Sequence, residues 1–153
     1  MYYVRTAWYN IRDGKTYLYD KHKPLFAFGH GLSYTTFEYS NLKINQSTIK
    51  NGETVNIAVD VKNTGAMNSD EVIQVYVDFS DSKVSRPIKA LKAFKRVNIP
   101  AGQSITVTLP LKADELKYWN DTQHAFVLEP GKIKLSIGSS SEDIKLTGEL
   151  IAK

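Results

Sequence analysis

Apolar and polar residues alternate with a period of two in four segments of the chain beyond residue 50. The apolar members are Val55, Ile57, Val59 and Val61; Ile73, Val75, Val77 and Phe79; Ile105, Val107, Leu109 and Leu111; and Ile133, Leu135 and Ile137. Successive side chains of a β-strand point to opposite faces, so each segment predicts a strand with one buried face. On the second of these strands, Gln74, Tyr76 and Asp78 occupy the opposite face.

Turn-forming residues separate these segments. The turns are Asn63-Thr64-Gly65, Pro100-Ala101-Gly102 and Glu129-Pro130-Gly131, with the polar loop Gly138-Ser139-Ser140-Ser141 before the last strand. Less regular strands are predicted over residues 37–44, 91–99, 125–128 and 144–151. Seven or eight short strands with regular turns predict an all-β sandwich of two sheets.

Two stretches are compatible with a helix. Between Pro87 and Arg96, three apolar residues could share a helical face, but the segment also fits a strand with a bulge at Lys95. From Ala113 to Trp119 there is room for barely two helical turns, with Asp114 as a candidate N-cap.

Residues 1–36 show neither the period of two of a strand nor the period of 3.6 of a helix. They are also unusually rich in aromatic side chains. The aromatic residues are Tyr2, Tyr3, Trp8, Tyr9, Tyr17, Tyr19, Phe26, Phe28 and Tyr34. We therefore expect an irregular arm over residues 1–36 that packs through large side chains, followed by the sandwich over residues 37–153. On its own the arm would expose a sizeable apolar patch, and such patches usually mark an interface.

Composition and charge narrow the function classes. A chain of 153 residues with 42% hydrophobic residues and no cysteine suits a single domain without disulfides or thiolate sites. The net charge of +4 comes with one dense basic run: Lys83, Arg86, Lys89, Lys92, Lys95 and Arg96. Apolar residues interleave with it, which favours a half-buried segment with solvated cations over a nucleic-acid surface.

No apolar run approaches the ~20 residues of a membrane helix. The first residues do not resemble a signal peptide, so we expect the downstream part of a longer polypeptide.

The motifs of common catalytic, metal and phosphate sites are missing from the sequence. The three histidines, His22, His30 and His124, show no HExxH spacing. Gly29 to Tyr34 begins like GxGxxG, but Tyr34 replaces the third glycine, and there is no GxSxG. Nothing singles out a pair among the sixteen acidic residues for glycosidic chemistry. We therefore predict no catalytic residue, no metal and no cofactor.

Exposed aromatic rings can stack on sugars, which leaves a binding role open. The candidates are Trp8, Tyr118 and Trp119, and the competing interpretation is that these rings fill cores and interfaces.

Five ordered motifs resemble one known family. Residues 24–37, P-L-F-A-F-G-H-G-L-S-Y-T-T-F, resemble the segment that joins the catalytic body of glycoside hydrolase family 3 enzymes to their C-terminal fibronectin type III-like domain, with Ala27 where proline is usual. Residues 59–65 (V-D-V-K-N-T-G), 71–77 (E-V-I-Q-V-Y-V), 86–94 (R-P-I-K-A-L-K-A-F), and 129–131 with 137–141 follow in the family's order. Residues 9–19 are most similar to its β-xylosidase branch.

The resemblance implies an immunoglobulin- or fibronectin type III-like sandwich whose parent hydrolyses β-linked glucosides or xylosides and is exported to the periplasm or the medium. The catalytic Asp and Glu of the family lie in the preceding domains, and no position here matches their motifs. It also implies that residues 87–96 form a loop and a strand. The candidates for packing on the catalytic domains are Trp8, Tyr17, Tyr19, Phe26, Phe28, His30 and Tyr34.

Three functions stay open at this point. The chain could be a structural module that packs on the glycosidase body and stabilises it. It could instead bind an oligo- or polysaccharide through exposed aromatics, or act as an enzyme by itself. The missing acid pair argues against the third. Neither of the first two involves nucleic acid or a membrane.

Overall fold

The computed structural model of the protein describes residues 14, 16, 18–79 and 81–153. Within them lie ten β-strands and one short 3-10 helix. The elements are β1 (Phe37–Ile44), β2 (Thr48–Ile49), β3 (Thr54–Asn63), β4 (Ser69–Asp78), β5 (Ala90–Ile99), β6 (Ser104–Lys112), the 3-10 helix (Ala113–Leu116), β7 (Tyr118–Asn120), β8 (Ala125–Val127), β9 (Gly131–Gly138) and β10 (Ile144–Ala152). None of the described residues forms a helix of the length and apolarity that a bilayer crossing demands.

Eight of these strands form two sheets that enclose one core. The first sheet has the order β1-β3-β6, and the second has the order β2-β10-β9-β4-β5. All pairings are antiparallel except that of β2 with β10, which is parallel. The strands β7 and β8 form a separate hairpin. The predicted all-β sandwich of two sheets is confirmed.

The core lies between the inward faces that the alternation predicted. On β3, the side chains of Val55, Ile57, Val59 and Val61 are completely buried, and the intervening positions are more exposed. Inward side chains of β4, β6 and β9 complete the same cluster. Each such aliphatic side chain stabilises the fold by roughly 1.5–3 kcal/mol on burial, so the alternating strands account for the two-layer architecture.

The segment from Pro87 to Arg96 is loop and strand, and the helical interpretation is wrong. β5 pairs with β4 along its length, and the register shifts where Val75 pairs with Ala93 and Tyr76 pairs with Leu91. Lys92 is therefore the extra residue, and the bulge lies there instead of at Lys95. Lys95 keeps regular register opposite Ile73. It is exposed because β5 is the edge strand of its sheet, where an inward charge also discourages further strand pairing.

The second helical prediction is correct only for one short turn. Ala113–Leu116 is a 3-10 helix preceded by Lys112, and it has no side-chain capping bond, so the assignment of Asp114 as N-cap is wrong. The chain then becomes extended and Tyr118–Asn120 pairs with β8. A helix this short cannot offset its nucleation cost, whereas the hairpin satisfies the backbone locally.

Candidate functional site

The continuously described part of the arm, residues 18–36, runs across the outer face of the five-stranded sheet. The carbonyl oxygen of Leu18 accepts a hydrogen bond from Ile88 N at 2.9 Å, and that of Phe28 accepts one from Ser141 N at 2.9 Å. At the far end, Thr64 N donates to the carbonyl oxygen of Thr36 at 2.9 Å. Between residues 18 and 36, the main chain of the arm is thus attached to the sandwich at several points.

Gln74 and Tyr76 of β4 hold the middle of the arm. They alternate with core residues and so face away from the first sheet, yet they are only 5% and 2% exposed. Gln74 Nε2 donates to the carbonyl oxygens of Gly29, at 3.3 Å, and of Ser139. The Tyr76 hydroxyl lies 3.1 Å from the carbonyl oxygen of Phe28 and 2.5 Å from Gln74 Oε1. Burial raises the pKa of Tyr76 to about 12, which keeps its hydroxyl protonated near neutral pH.

Gly29 permits the close approach between arm and sheet. Its φ is +78°, in the left-handed region that favours glycine. A Cβ at this position would lie 2.2 Å from Gln74 Oε1, a distance that real Cβ contacts do not reach. Both the backbone angle and the available space therefore require glycine here.

Asn63, at the end of β3, fixes the C-terminal end of the arm. Its Oδ1 accepts hydrogen bonds from Thr35 Oγ1 at 2.6 Å and from Gly65 N at 3.1 Å. Its Nδ2 donates to the carbonyl oxygens of Met67 at 2.8 Å and Ile99 at 2.9 Å. All the hydrogen-bonding capacity expected of a buried amide is used, since Asn63 is completely buried.

Five large side chains in the described part of the arm are exposed although the main chain there is attached. The exposed set, called the arm patch below, is Leu25, Phe26, Phe28, Leu32 and Tyr34. Phe26 is 70% exposed, Leu32 94% and Tyr34 93%. Together they offer several hundred Å² of apolar surface, the size at which a patch on a soluble domain marks an interaction site.

The remaining candidates for packing on the catalytic domains differ in their surroundings. Trp8 and Tyr17 lie outside the described residues. Tyr19 is partly buried, and His30 is exposed with its ring 5.6 Å from the ring of Phe26. The role of these residues in packing on another domain stays a prediction.

Arg86 occupies a buried position beneath the β7–β8 hairpin. Its guanidinium lies 4.2 Å from the ring centroid of Phe79 and 4.7 Å from that of Tyr118, a cation–π arrangement on two rings. It also donates to the carbonyl oxygen of Leu116 and lies 3.4 Å from Glu129. Burial pushes the pKa of Glu129 up, but hydrogen bonds from Ser82, Lys83 N and Arg86 outweigh this and lower it.

The sugar-contact candidates Tyr118 and Trp119 point to opposite faces of β7. Tyr118 is partly buried beside Arg86, whereas Trp119 is 49% exposed and lies opposite Phe126 of β8. The two rings of Tyr118 and Trp119 therefore do not form one platform. Phe126 was missed at the level of sequence because its nearness to Trp119 depends on the hairpin closing.

The basic run belongs to the sandwich, and some of its cations have protein partners while others are exposed. Lys89 donates to the carbonyl oxygen of Ser141 at 2.7 Å and lies 3.3 Å from Glu142. Arg96 forms a 2.6 Å ion pair with Asp70, and Arg86 is buried as described. The expectation of solvated cations is wrong for Arg86, whose side chain is only 9% exposed, because neighbouring strands and loops supply partners that are distant in sequence. It is right for Arg96, whose side chain is 72% exposed.

Acidic and histidine side chains do not gather into a metal-ligating cluster anywhere in the described ranges. The most buried acid is Glu71, whose Oε1 accepts a 2.6 Å hydrogen bond from the Tyr39 hydroxyl. Burial raises the pKa of Glu71, and Asp143 adds to this; the Tyr39 hydrogen bond only partly offsets the rise. Burial also raises the pKa of Tyr39, and the hydrogen bond to Glu71 raises it further.

Comparison with known proteins places the sandwich among hydrolase modules. Residues 71–141 match the family described as "Fibronectin type III-like domain". β-Glucosidase BoGH3A of Bacteroides ovatus is 39% identical over 144 residues, which cover 94% of this chain and 18% of that enzyme. A β-xylosidase of Formosa agariphila is 41% identical over 138 residues, which cover 88% of this chain and 19% of that enzyme.

A periplasmic β-glucosidase of Salmonella typhimurium is 37% identical over 129 residues, covering 84% of this chain and 17% of that enzyme. Among solved structures, β-glucosidase from Listeria innocua in complex with glucose superposes with a TM-score of 0.77 at 35% identity. The match covers 85% of this chain and 18% of that one. The chain thus spans less than a fifth of the length of each of these four relatives.

Proposed function

This chain belongs to the fibronectin type III-like domains that form a small, non-catalytic part of glycoside hydrolase family 3 β-glucosidases and β-xylosidases, and we propose that it packs on the catalytic part of a parent glycosidase and stabilises it. The proposed domain boundary lies at residue 36, with residues 1–36 as the arm that reaches the catalytic part. The parent would hydrolyse β-linked glucosides or xylosides.

The observation that carries this proposal is the exposed arm patch on an anchored main chain. An arm whose only task was to cover the sandwich would bury its rings against it. Here the main chain is held by Gln74, Tyr76 and Asn63, while Phe26, Leu32 and Tyr34 point to solvent. A pre-ordered apolar surface of this kind loses little conformational entropy when a partner covers it.

The partner that fits best is the remainder of the same polypeptide. The first relatives compared are about four and a half to seven times longer than the matched segment, since that segment covers 14–22% of each of them. Interfaces between domains of one chain usually bury surfaces of this size. Export of the parent agrees with the name of the Salmonella relative, a periplasmic enzyme.

The test uses the full-length parent enzyme with Leu32→Ser and Tyr34→Ser in the arm patch. We expect the temperature of half-inactivation to fall by several degrees, with hydrolysis of aryl β-glucosides and β-xylosides at low temperature unchanged. The matched control is Phe94→Ser, which alters an exposed ring on β5 outside the arm patch (68% exposed) and should leave the inactivation temperature unchanged.

If the arm variants inactivated at the same temperature as the unaltered parent, the packing role would be refuted. The 153-residue chain by itself should hydrolyse neither class of aryl glycoside. Turnover that survives stringent purification would contradict the assignment of catalysis to the rest of the parent.

A further inference from the structure

The β7–β8 hairpin carries an aromatic pair that the core does not use. Trp119 and Phe126 lie directly opposite each other, with ring centroids 5.3 Å apart and planes inclined at 72°. They share the face of the hairpin that points away from Tyr118 and Arg86, and they are 49% and 66% exposed. Neither contributes to the hydrophobic core. An edge-to-face contact of this kind fixes the plane of the indole ring.

The size of this face suits a small ligand better than a protein. Aromatic side chains bury about 150–250 Å² each, so the pair at these exposures offers on the order of 250 Å². A stable protein interface needs about 800 Å² from each partner. The arm patch approaches that requirement, and the hairpin face does not.

The turn next to the pair carries polar side chains that form no side-chain hydrogen bond to another described residue. In the turn of the hairpin, Asn120 Oδ1 accepts the backbone N–H groups of Thr122 and Gln123, both at 3.0 Å, so its oxygen is used. The side chains of Asp121, Thr122, Gln123 and His124 are exposed, and none forms a side-chain hydrogen bond to another described residue. Donors and acceptors are therefore available beside a flat apolar ring.

We propose that the Trp119–Phe126 face binds a sugar ring of a β-linked oligosaccharide. A pyranose combines an apolar C–H face with a rim of hydroxyl groups, and it is recognised where an aromatic ring lies beside a few polar side chains. The indole of Trp119 stacks on the C–H face, and the side chains of residues 121–124 reach the hydroxyl groups. The choice of β-linked glucose or xylose units rests on the proposed parent activity, whereas the site itself does not.

The test titrates the full 153-residue chain with xylohexaose and cellohexaose and follows the indole N–H signals by heteronuclear NMR. The chain has two tryptophans, so two indole signals are expected, and Trp119→Ala identifies one of them. We expect saturable shifts of the Trp119 signal and of backbone amides 118–127. Trp119→Ala or Phe126→Ala should weaken binding at least about tenfold, as for loss of a central aromatic contact.

Phe94→Ala is the matched control, because Phe94 is 68% exposed on β5 outside the hairpin, and it should bind as the unaltered chain does. A preserved amide fingerprint identifies variants that still fold, and Phe126→Ala supplies the test if Trp119→Ala does not. No saturable shift up to millimolar sugar would overturn the proposal. So would shifts confined to the arm, or unchanged affinity in both hairpin variants. Whether the arm patch packs on the catalytic part is tested separately, by the inactivation temperature of the parent enzyme.

Discussion

Asn63 shows how one buried side chain can join three segments that are distant in sequence. Its amide contacts the arm through Thr35, the following turn through Gly65, and the end of β5 through Ile99. A buried polar group left without a partner costs about 1–3 kcal/mol. Removing the Asn63 amide would leave several buried polar groups without a hydrogen-bond partner at once.

Asn63→Ala should therefore lower the free energy of unfolding by about 3 kcal/mol, since buried donors and acceptors lose their partner. Urea denaturation measures this. Asn56→Ala, on an exposed position of the same strand, should change the value by no more than about 0.5 kcal/mol. Equal effects of the two substitutions would show that the Asn63 bonds contribute nothing particular.

Glu71 is a buried acid whose ionisation opposes folding. Burial raises its pKa above the ordinary 4.5, so the folded chain holds the proton more tightly than the unfolded chain. The free energy of unfolding therefore contains a term that is fully present below pH 4.5 and is lost as the pH rises through the folded pKa. The sign is opposite to that of a salt-bridged carboxylate.

Glu71→Gln keeps an acceptor for the Tyr39 hydroxyl and removes the charge. We expect it to stabilise the chain at pH 7 and to differ less from the unaltered chain near pH 4, as measured by urea denaturation at both pH values. Glu38→Gln, which removes the charge of an exposed neighbour on β1, is the matched control. If Glu71→Gln changed the free energy of unfolding equally at both pH values, ionisation of Glu71 would not be coupled to folding.

At the scale of elements, the arm and β4 together explain a departure from simple alternation. Gln74 and Tyr76 were correctly placed on the face opposite Ile73 and Val75, but the alternation gave no reason for them to be buried. The arm and residues 139–141 cover them, and these segments lie 45 and 65 residues away from Gln74. A period of two identifies which residues share a face; it does not identify what covers the second face.

Two glycines allow the arm–sheet contact to be isolated. Gly29 and Gly52 have φ of +78° and +81°, but only at Gly29 would a Cβ meet another group within 4 Å. Both Gly→Ala changes carry the backbone cost of about 1 kcal/mol. Only Gly29→Ala should detach the arm, seen as faster hydrogen exchange at the amides of residues 27–31 and at Ser141. If Gly52→Ala accelerated the same amides equally, steric contact with Gln74 would not be the cause.

The hydrophobic pattern predicted only one of the two strands of the β7–β8 hairpin. Residues 125–128 were predicted as a strand from their apolar run, and β8 covers Ala125–Val127. Its partner β7 was not predicted as a strand, because three residues are too few for any period to appear, and Tyr118 and Trp119 fell in the stretch that was compatible with a helix. The pairing that brings Trp119 to Phe126 could therefore not be inferred from the pattern.

For the whole molecule, the buried core side chains found among the described residues lie between residues 39 and 152, and none of them belongs to the described part of the arm. We therefore predict that residues 37–153 alone fold cooperatively. Loss of the partners of Asn63, Gln74 and Tyr76 should lower the melting temperature without abolishing the transition. Calorimetry with circular dichroism checks this, and 1–153 is the reference. A fragment without a cooperative transition would refute the proposed boundary at residue 36.

The amino-acid sequence by itself determined the two-sheet architecture and the inward positions of the core, because strand periodicity is local and the hydrophobic effect acts on every inward position in the same way. Its ordered motifs also indicated the family correctly. Only the tertiary structure decided that Gln74 and Tyr76 hold the arm, that Arg86 is buried between two rings, and that Trp119 meets Phe126. Each of these depends on contacts between segments far apart in the chain, and such contacts leave no periodic signal along it.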